Sequence, residues 1–338
     1  MNMKRWLAQL ADQPIKKTLP ILAFPGIQFM EGVTVRELVG SSVLQAQCLA
    51  QVAARTDFAA YVGFMDLSVE AEAFGAQTVF FEEDVPSVTG TLVTSMEEAK
   101  ALQIPRVTDH RTAVFPEGIR LARKSITDRP IFGGIVGPFS LAGRLVDVSE
   151  AMVNCYEEPE MMHVLLEKAT AFLIEYANAF RQAGAQGVLL AEPLAGLIAP
   201  EHEAEFSAPY IRKITEAVQG DDFLVIYHNC GNYTNLMTDS LATNGCGAYH
   251  FGNAVDMVQM LEKMPQHLPI MGNLDPAAQL RNGTVESVRE ATWKLMDACA
   301  KYPNFIPSSG CDVPPMSPWS NLQAFFDAVK QYYETERN

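Results

Sequence analysis

The pattern of apolar and polar positions along this chain switches repeatedly between two periods. Short runs rich in β-branched and apolar residues occur at 19–24, 57–64, 131–137, 187–192, 223–230, 248–252, 269–273 and 305–310. Each has the length of a buried strand. Between most of them, apolar positions recur at helical spacing. Within 151–184, Met152, Val153, Met161, Val164, Leu165, Ala169, Leu173 and Tyr176 fall on one stripe, and 285–301 repeats the pattern. Strands that alternate with helices, with no strand-rich block, imply parallel βαβ units. Eight such units predict a closed (β/α)8 TIM barrel, one domain over 1–338, rather than an open doubly wound sheet. No GxGxxG follows the first run, which argues against a dinucleotide site. The gap between the second and third runs is too long for one helix. It holds a β-excursion at 78–87 and a helix at 95–102. Residues 66–130 are therefore expected to form an elaborated loop or lid at the barrel mouth.

Composition narrows the function. Apolar residues make up 48% and charged residues 19% of 338, which excludes a disordered acidic chain. The formal net charge of −15 argues against nucleic acid as a partner, because the small basic clusters carry no interleaved aromatics for base stacking. The quietest stretch, 131–143, is interrupted by Pro138 and is too short to cross a bilayer. The N-terminus reads as a short amphipathic helix without a signal peptide's apolar core. A cytoplasmic protein is expected, and its six cysteines then read as metal-binding, reactive or core thiols rather than disulfides. Cys48, Cys155, Cys246 and Cys299 sit in helical or pre-strand positions and are expected to be structural.

In a barrel of this kind the chemistry sits where strands hand over to the following loops. The strand ends of this sequence carry Asp66, Glu192, His228, Cys230, His250, Asn273, Asp275 and Cys311. The His228-x-Cys230 pair places an imidazole and a thiol on one face of a strand, since residues two apart point the same way. Cys311, at the end of the last strand, can converge on them. One nitrogen and two sulfurs suit Zn²⁺, and three protein ligands leave a fourth position open, as in catalytic zinc sites. Spacing alone also admits a core cysteine beside a satisfied histidine. Glu192 and His250 are catalytic candidates, with an internal ion pair and a structural histidine as the alternatives. Asp66, Asn273 and Asp275 are candidates for substrate binding, although Asp275 also suits a helix cap.

Three segments resemble the uroporphyrinogen decarboxylase superfamily: Gly272-Asn273-Leu274-Asp275-Pro276-Ala277, the glycine-rich run 133–143, and Pro314-Pro315 followed by Ser320-Asn321-Leu322 and a final helix. The resemblance spans roughly residues 3–336 and implies a (β/α)8 barrel. Two branches differ in their motifs. Decarboxylases open with an arginine-rich segment that grips the porphyrinogen carboxylates; the matching stretch here, 19–28, contains no arginine. The other branch comprises zinc-dependent corrinoid methyltransferases, similar to methylcobalamin:coenzyme M methyltransferases, with a His-x-Cys followed much later by a Cys. His228, Cys230 and Cys311 match that motif one by one. This resemblance implies Zn²⁺ as cofactor. It also implies a corrinoid protein as partner, carrying methylcobalamin or a related corrinoid as substrate, and a small-molecule methyl donor or acceptor. Members of this branch often carry an acid at the end of the sixth strand, where this chain has His250-Phe251-Gly252-Asn253. Water, Glu192 or His250 are then the candidates for a fourth ligand. Decarboxylation, and a non-catalytic zinc barrel that only binds a corrinoid protein, are the competing expectations.

Overall fold

The computed structural model describes residues 1–335; residues 336–338, which the one-domain expectation includes, lie outside the described residues. Nine strands are present among them: β1 (Tyr61–Val62), β2 (Gln77–Val79), β3 (Ser87–Thr89), β4 (Ile131–Val136), β5 (Gly187–Ala191), β6 (Leu224–Asn229), β7 (Ala248–Phe251), β8 (Ile270–Leu274) and β9 (Phe305–Ser309). Seven form one sheet in the order β1-β4-β5-β6-β7-β8-β9, every adjacent pair parallel. Helices connect successive strands, which gives the curled α/β architecture of the TIM-barrel type.

The first predicted strand, 19–24, is not a ladder strand. It lies between the sheet's two edges, where a barrel's eighth strand would stand. The Thr18 carbonyl accepts from Ala59 N at 3.0 Å, and Leu19 N donates to the Pro307 carbonyl at 3.2 Å. Pro20 has no N–H to give a ladder. Side chains of β9 supply the missing bonds instead: Ile21 N donates to Ser309 Oγ at 3.1 Å, and Ser308 Oγ donates to the Leu19 carbonyl at 2.7 Å. The segment is buried, as its hydrophobic pattern predicts, but its hydrogen bonds are irregular.

The stripe predicted over 151–184 is two helices, Val148–Glu157 and Pro159–Gln182. Pro159 forces the break, because the residue before a proline is driven out of the helical region; Glu158 sits at φ −134°, ψ 52°. Val153, assigned to the common stripe, is consequently exposed. In the long segment after β1, β2 and β3 form an antiparallel hairpin, and Met96–Ala101 is a helix capped by Ser95. The segment ends in the helix Val114–Ala122, which leads back to β4.

Inward-facing residues alternate along the strands as the two-residue period requires. Leu189 and Ala191, Leu224 and Ile226, Ala248, Met271 and Ile306 fill the barrel interior together with Phe132. The N-terminal helix Met3–Asp12 joins this cluster through Met3 and Leu10, and the Trp6 ring lies 5.9 Å from that of Phe132. The interior is thus packed with apolar side chains along the strands. The polar residues of the same inward parity gather at the C-terminal ends. No helix among the described residues is long and apolar enough to cross a membrane.

Candidate metal centre at the C-terminal end of the barrel

The inward parity of β6 runs through Leu224 and Ile226 to His228 and Cys230. That of β7 runs from Ala248 to His250, and that of β9 from Ile306 to Ser308. Cys311 follows β9 after Gly310. The closeness of these chains is visible at the glycines. A β-carbon on Gly310 would meet Asn253 N at 2.8 Å, so only glycine lets the turn into Cys311 pass so near β7.

The ligand-capable atoms of His228, Cys230 and Cys311 all lie within 4.8 Å of one another. No other His, Cys, Asp or Glu among the described residues joins this group. His228 Nε2 and Cys311 Sγ are 3.5 Å apart. A tetrahedral zinc with ordinary Zn–N and Zn–S bonds requires an N–S edge of about 3.6 Å, so the donor set and its spacing fit the ion. His228 is buried and both cysteine residues are half-buried. The Cys311 thiol bonds to Cys230 and holds the Cys230 thiol below its usual range, against burial, while Cys311 itself is pushed up. A metal held by both sulfurs would displace the thiol protons.

The other sequence-predicted residues are placed differently. His250 is fully buried behind His228, its Nδ1 2.8 Å from His228 Nδ1 and its Nε2 2.8 Å from Ser308 Oγ. With both ring nitrogens so engaged, it is not placed as a metal ligand. Burial, reinforced by His228, drives its pKa well below the normal histidine value. Glu192 has the opposite parity to inward-facing Ala191. Its carboxylate accepts from Phe139 N at 3.0 Å and Ser140 N at 2.6 Å, at the start of the helix Pro138–Val146. It is a buried cap, pushed up to about 7 by desolvation despite those bonds. Asp66 is also buried; it accepts from Ser68 N at 3.0 Å and is ion-paired to Arg111. Asp275 accepts from Ala277 N at 2.9 Å and Ala278 N at 2.8 Å through one oxygen, and from Asn253 Nδ2 at 3.0 Å through the other. Asn273 Nδ2 donates to the Gly252 and Val255 carbonyls at 2.9 and 2.8 Å, bracing the β7 loop. Thus the structure gathers His228, Cys230, Cys311 and His250 in one place, while Glu192, Asp66, Asn273 and Asp275 engage partners within the chain. The four cysteines expected to be structural are buried.

Sequence reasoning assigned no role to Ser308 or Arg111. Ser308 was legible from parity alone, since it lies two residues after inward-facing Ile306. Arg111 was not, because 45 residues separate it from Asp66.

Fold and site together define a parallel β/α barrel that presents an imidazole and two thiols where the strands end. The family model described as uroporphyrinogen decarboxylase (URO-D) matches residues 4–332, and the chain belongs to that family. Among curated relatives, a methylcobamide:CoM methyltransferase, MtbA, of Methanosarcina acetivorans is 29% identical over 93% of this chain and 94% of its own length. A uroporphyrinogen decarboxylase of Coxiella burnetii is 26% identical over 97% and 94%. A solved structure titled methyltransferase from Methanosarcina mazei superposes with a TM-score of 0.85 at 23% identity, covering 98% of this chain and 99% of the other, and shows the same fold.

Proposed function

We propose that this chain is a corrinoid-dependent methyltransferase that holds zinc through His228 Nε2, Cys230 Sγ and Cys311 Sγ. It moves a methyl group between a corrinoid carried on a partner protein and a small thiol. The observation that carries the reading is the convergence of one imidazole and two thiols at the mouth of the barrel, with no fourth His, Cys, Asp or Glu among the described residues beside them. Relatives at similar identity include both decarboxylases and methyltransferases, so identity alone does not choose between them. The donor set favours the methyltransferase. Two thiols and an imidazole suit a thiol-activating metal, and the segment 19–28 offers no arginine for a polycarboxylate substrate.

When bound, zinc would lower the pKa of a coordinated substrate thiol so that it is a thiolate at neutral pH, still able to attack carbon. The rest falls to the chain. Cys230 and Cys311 bring two negative charges to the site, which keep a bound nucleophile electron-rich. Both cysteines are half-buried residues at the barrel mouth, the side from which a methyl-corrinoid would be presented. Transfer forms a carbon–sulfur bond as the cobalt–carbon bond breaks, the electron pair staying on cobalt. Asp66, Glu192, Asn273 and Asp275 serve this reading by holding the loops that frame the site rather than by touching the reactants.

The test is metal analysis of the purified protein together with methyl transfer from methylcobalamin to a panel of thiols. Stoichiometric zinc and thiol methylation are expected, with both lost in Cys230→Ser and Cys311→Ser. Serine variants that keep full zinc and activity would overturn the site. Decarboxylation that is indifferent to chelator would overturn the methyltransferase reading. Zinc with corrinoid-protein binding but no turnover would reduce it to a binding barrel.

A further inference from the structure

We infer that His250 and Ser308 are positioning residues that fix the tautomer of His228, so that its Nε2 lone pair faces the two thiols. The inference rests on the proposed reading only in taking His228 to be a ligand; its chemistry comes from a chain of hydrogen bonds whose direction is forced from one end.

That end is the Leu19 carbonyl, in the irregular segment that fills the eighth position of the barrel. A backbone carbonyl can only accept. Ser308 Oγ lies 2.7 Å from it, so the serine's single proton is committed to Leu19. The same Oγ lies 2.8 Å from His250 Nε2 and must therefore accept, which puts a proton on His250 Nε2. His250 is wholly buried, and no acid is among its hydrogen-bond partners, so it is a neutral imidazole with a bare Nδ1. That Nδ1 is 2.8 Å from His228 Nδ1, and the only remaining arrangement is donation from His228 to His250. The His250 carbonyl, 3.2 Å from the same His228 atom, is a second acceptor and favours the same proton position. His228 thus carries its proton on Nδ1 and leaves Nε2 free, 3.5 Å from Cys311 Sγ. Reversing any link would leave either the Leu19 carbonyl or a ring nitrogen without its bond in a buried site.

The consequence is that the metal-binding tautomer is set before any metal arrives. Outer hydrogen bonds of this type commonly tune metal affinity by 10–100-fold.

Two measurements test this on the full-length chain. In zinc-free protein labelled with ¹⁵N-histidine, long-range ¹H–¹⁵N correlations should show His228 as the Nδ1–H tautomer and His250 as the Nε2–H tautomer. His228 found as Nε2–H would overturn the inference. The second measurement is zinc affinity by competition with a chromophoric chelator. His250→Asn, whose side-chain oxygen can stand where Nδ1 accepts, should bind within a few-fold of the parent, whereas His250→Ala should lose about 10–100-fold. Ser308→Ala, a change too small to unfold the barrel, should bind several-fold more weakly, with His228 then populating both tautomers. Parent-like zinc binding by both alanine variants would overturn the inference. A parent chain that takes up no zinc would overturn the proposed function instead, while the tautomer measurement would still decide the hydrogen-bond chain.

Discussion

Gly252 and Cys230 are in such close contact that a β-carbon on the glycine would lie 2.2 Å from the β-carbon of the cysteine and 2.5 Å from its α-carbon. The backbone of the β7 turn therefore braces the cysteine on one side. Gly252→Ala is expected to push Cys230 out of register with His228 and Cys311, since backbone on both sides cannot yield cheaply. The expected result is a zinc affinity at least about tenfold lower, with a stability loss of about 1–3 kcal/mol from overpacking. Chelator competition and urea denaturation of the same preparation would check both.

Asp66 and Arg111 form a buried ion pair, with side chains 0% and 11% exposed, and Arg111 also bonds Glu72 at 2.6 Å. Removing one partner of such a pair strands the other. Arg111→Met is expected to cost about 3 kcal/mol in denaturation while leaving zinc content unchanged. Were Asp66 instead a substrate-binding group, Asp66→Asn would raise KM at constant stability; the expected outcome is lower stability at constant KM.

Glu203 is fully buried, and desolvation pushes its carboxyl up to about 7 from 4.5, against a smaller opposing pull from the Ser240 hydroxyl. Between those values the folded chain keeps a proton that the unfolded chain releases. Stability therefore falls as pH rises from 4.5 to 7, by about 1.4 kcal/mol per unit and about 3 kcal/mol in total. Glu203→Gln should match the parent near pH 4.5 and exceed it at pH 8. Urea denaturation of the zinc-free proteins across that range is the measurement, and equal curves at pH 8 would contradict it.

The thiols of Cys230 and Cys311 bond to each other, which holds Cys230 below its usual range and Cys311 above it. Both must be deprotonated to ligate. Zinc affinity should fall with pH by up to about a hundredfold per unit below neutrality, because two protons compete with each ion. The proposed ligands stand at the end of β6, just after it, and after β9, in a barrel whose apolar interior owes nothing to a metal. Chelation should therefore lower the thermal midpoint yet leave the far-ultraviolet dichroism of the fold intact.

Seven of the eight sheet positions were legible because a buried parallel strand is marked by a short apolar run, and burial is read directly from residue type. The run at 19–24 shows where that reading stops. Its burial was correct, but its hydrogen bonding depends on Pro20 and on the side chains of Ser308 and Ser309, nearly 290 residues away. The helix break at Glu158 was equally local, written in Pro159, and was masked by an apolar stripe that continues across it.

The sequence by itself determined the alternation of strands and helices, the inward face of each strand, and so the fact that His228, Cys230, His250 and Ser308 all point into one interior. Those are consequences of periodicity and chain stereochemistry, which act over a few residues. Tertiary structure decided the assignment of the charges. It turned Glu192 into the cap of a distant helix, gave Asp66 to Arg111, and set His250 behind His228 rather than beside the thiols. Such choices depend on which buried polar atoms lack a bond once all strands are in place. That balance is struck between residues far apart in the chain, where no local pattern records it.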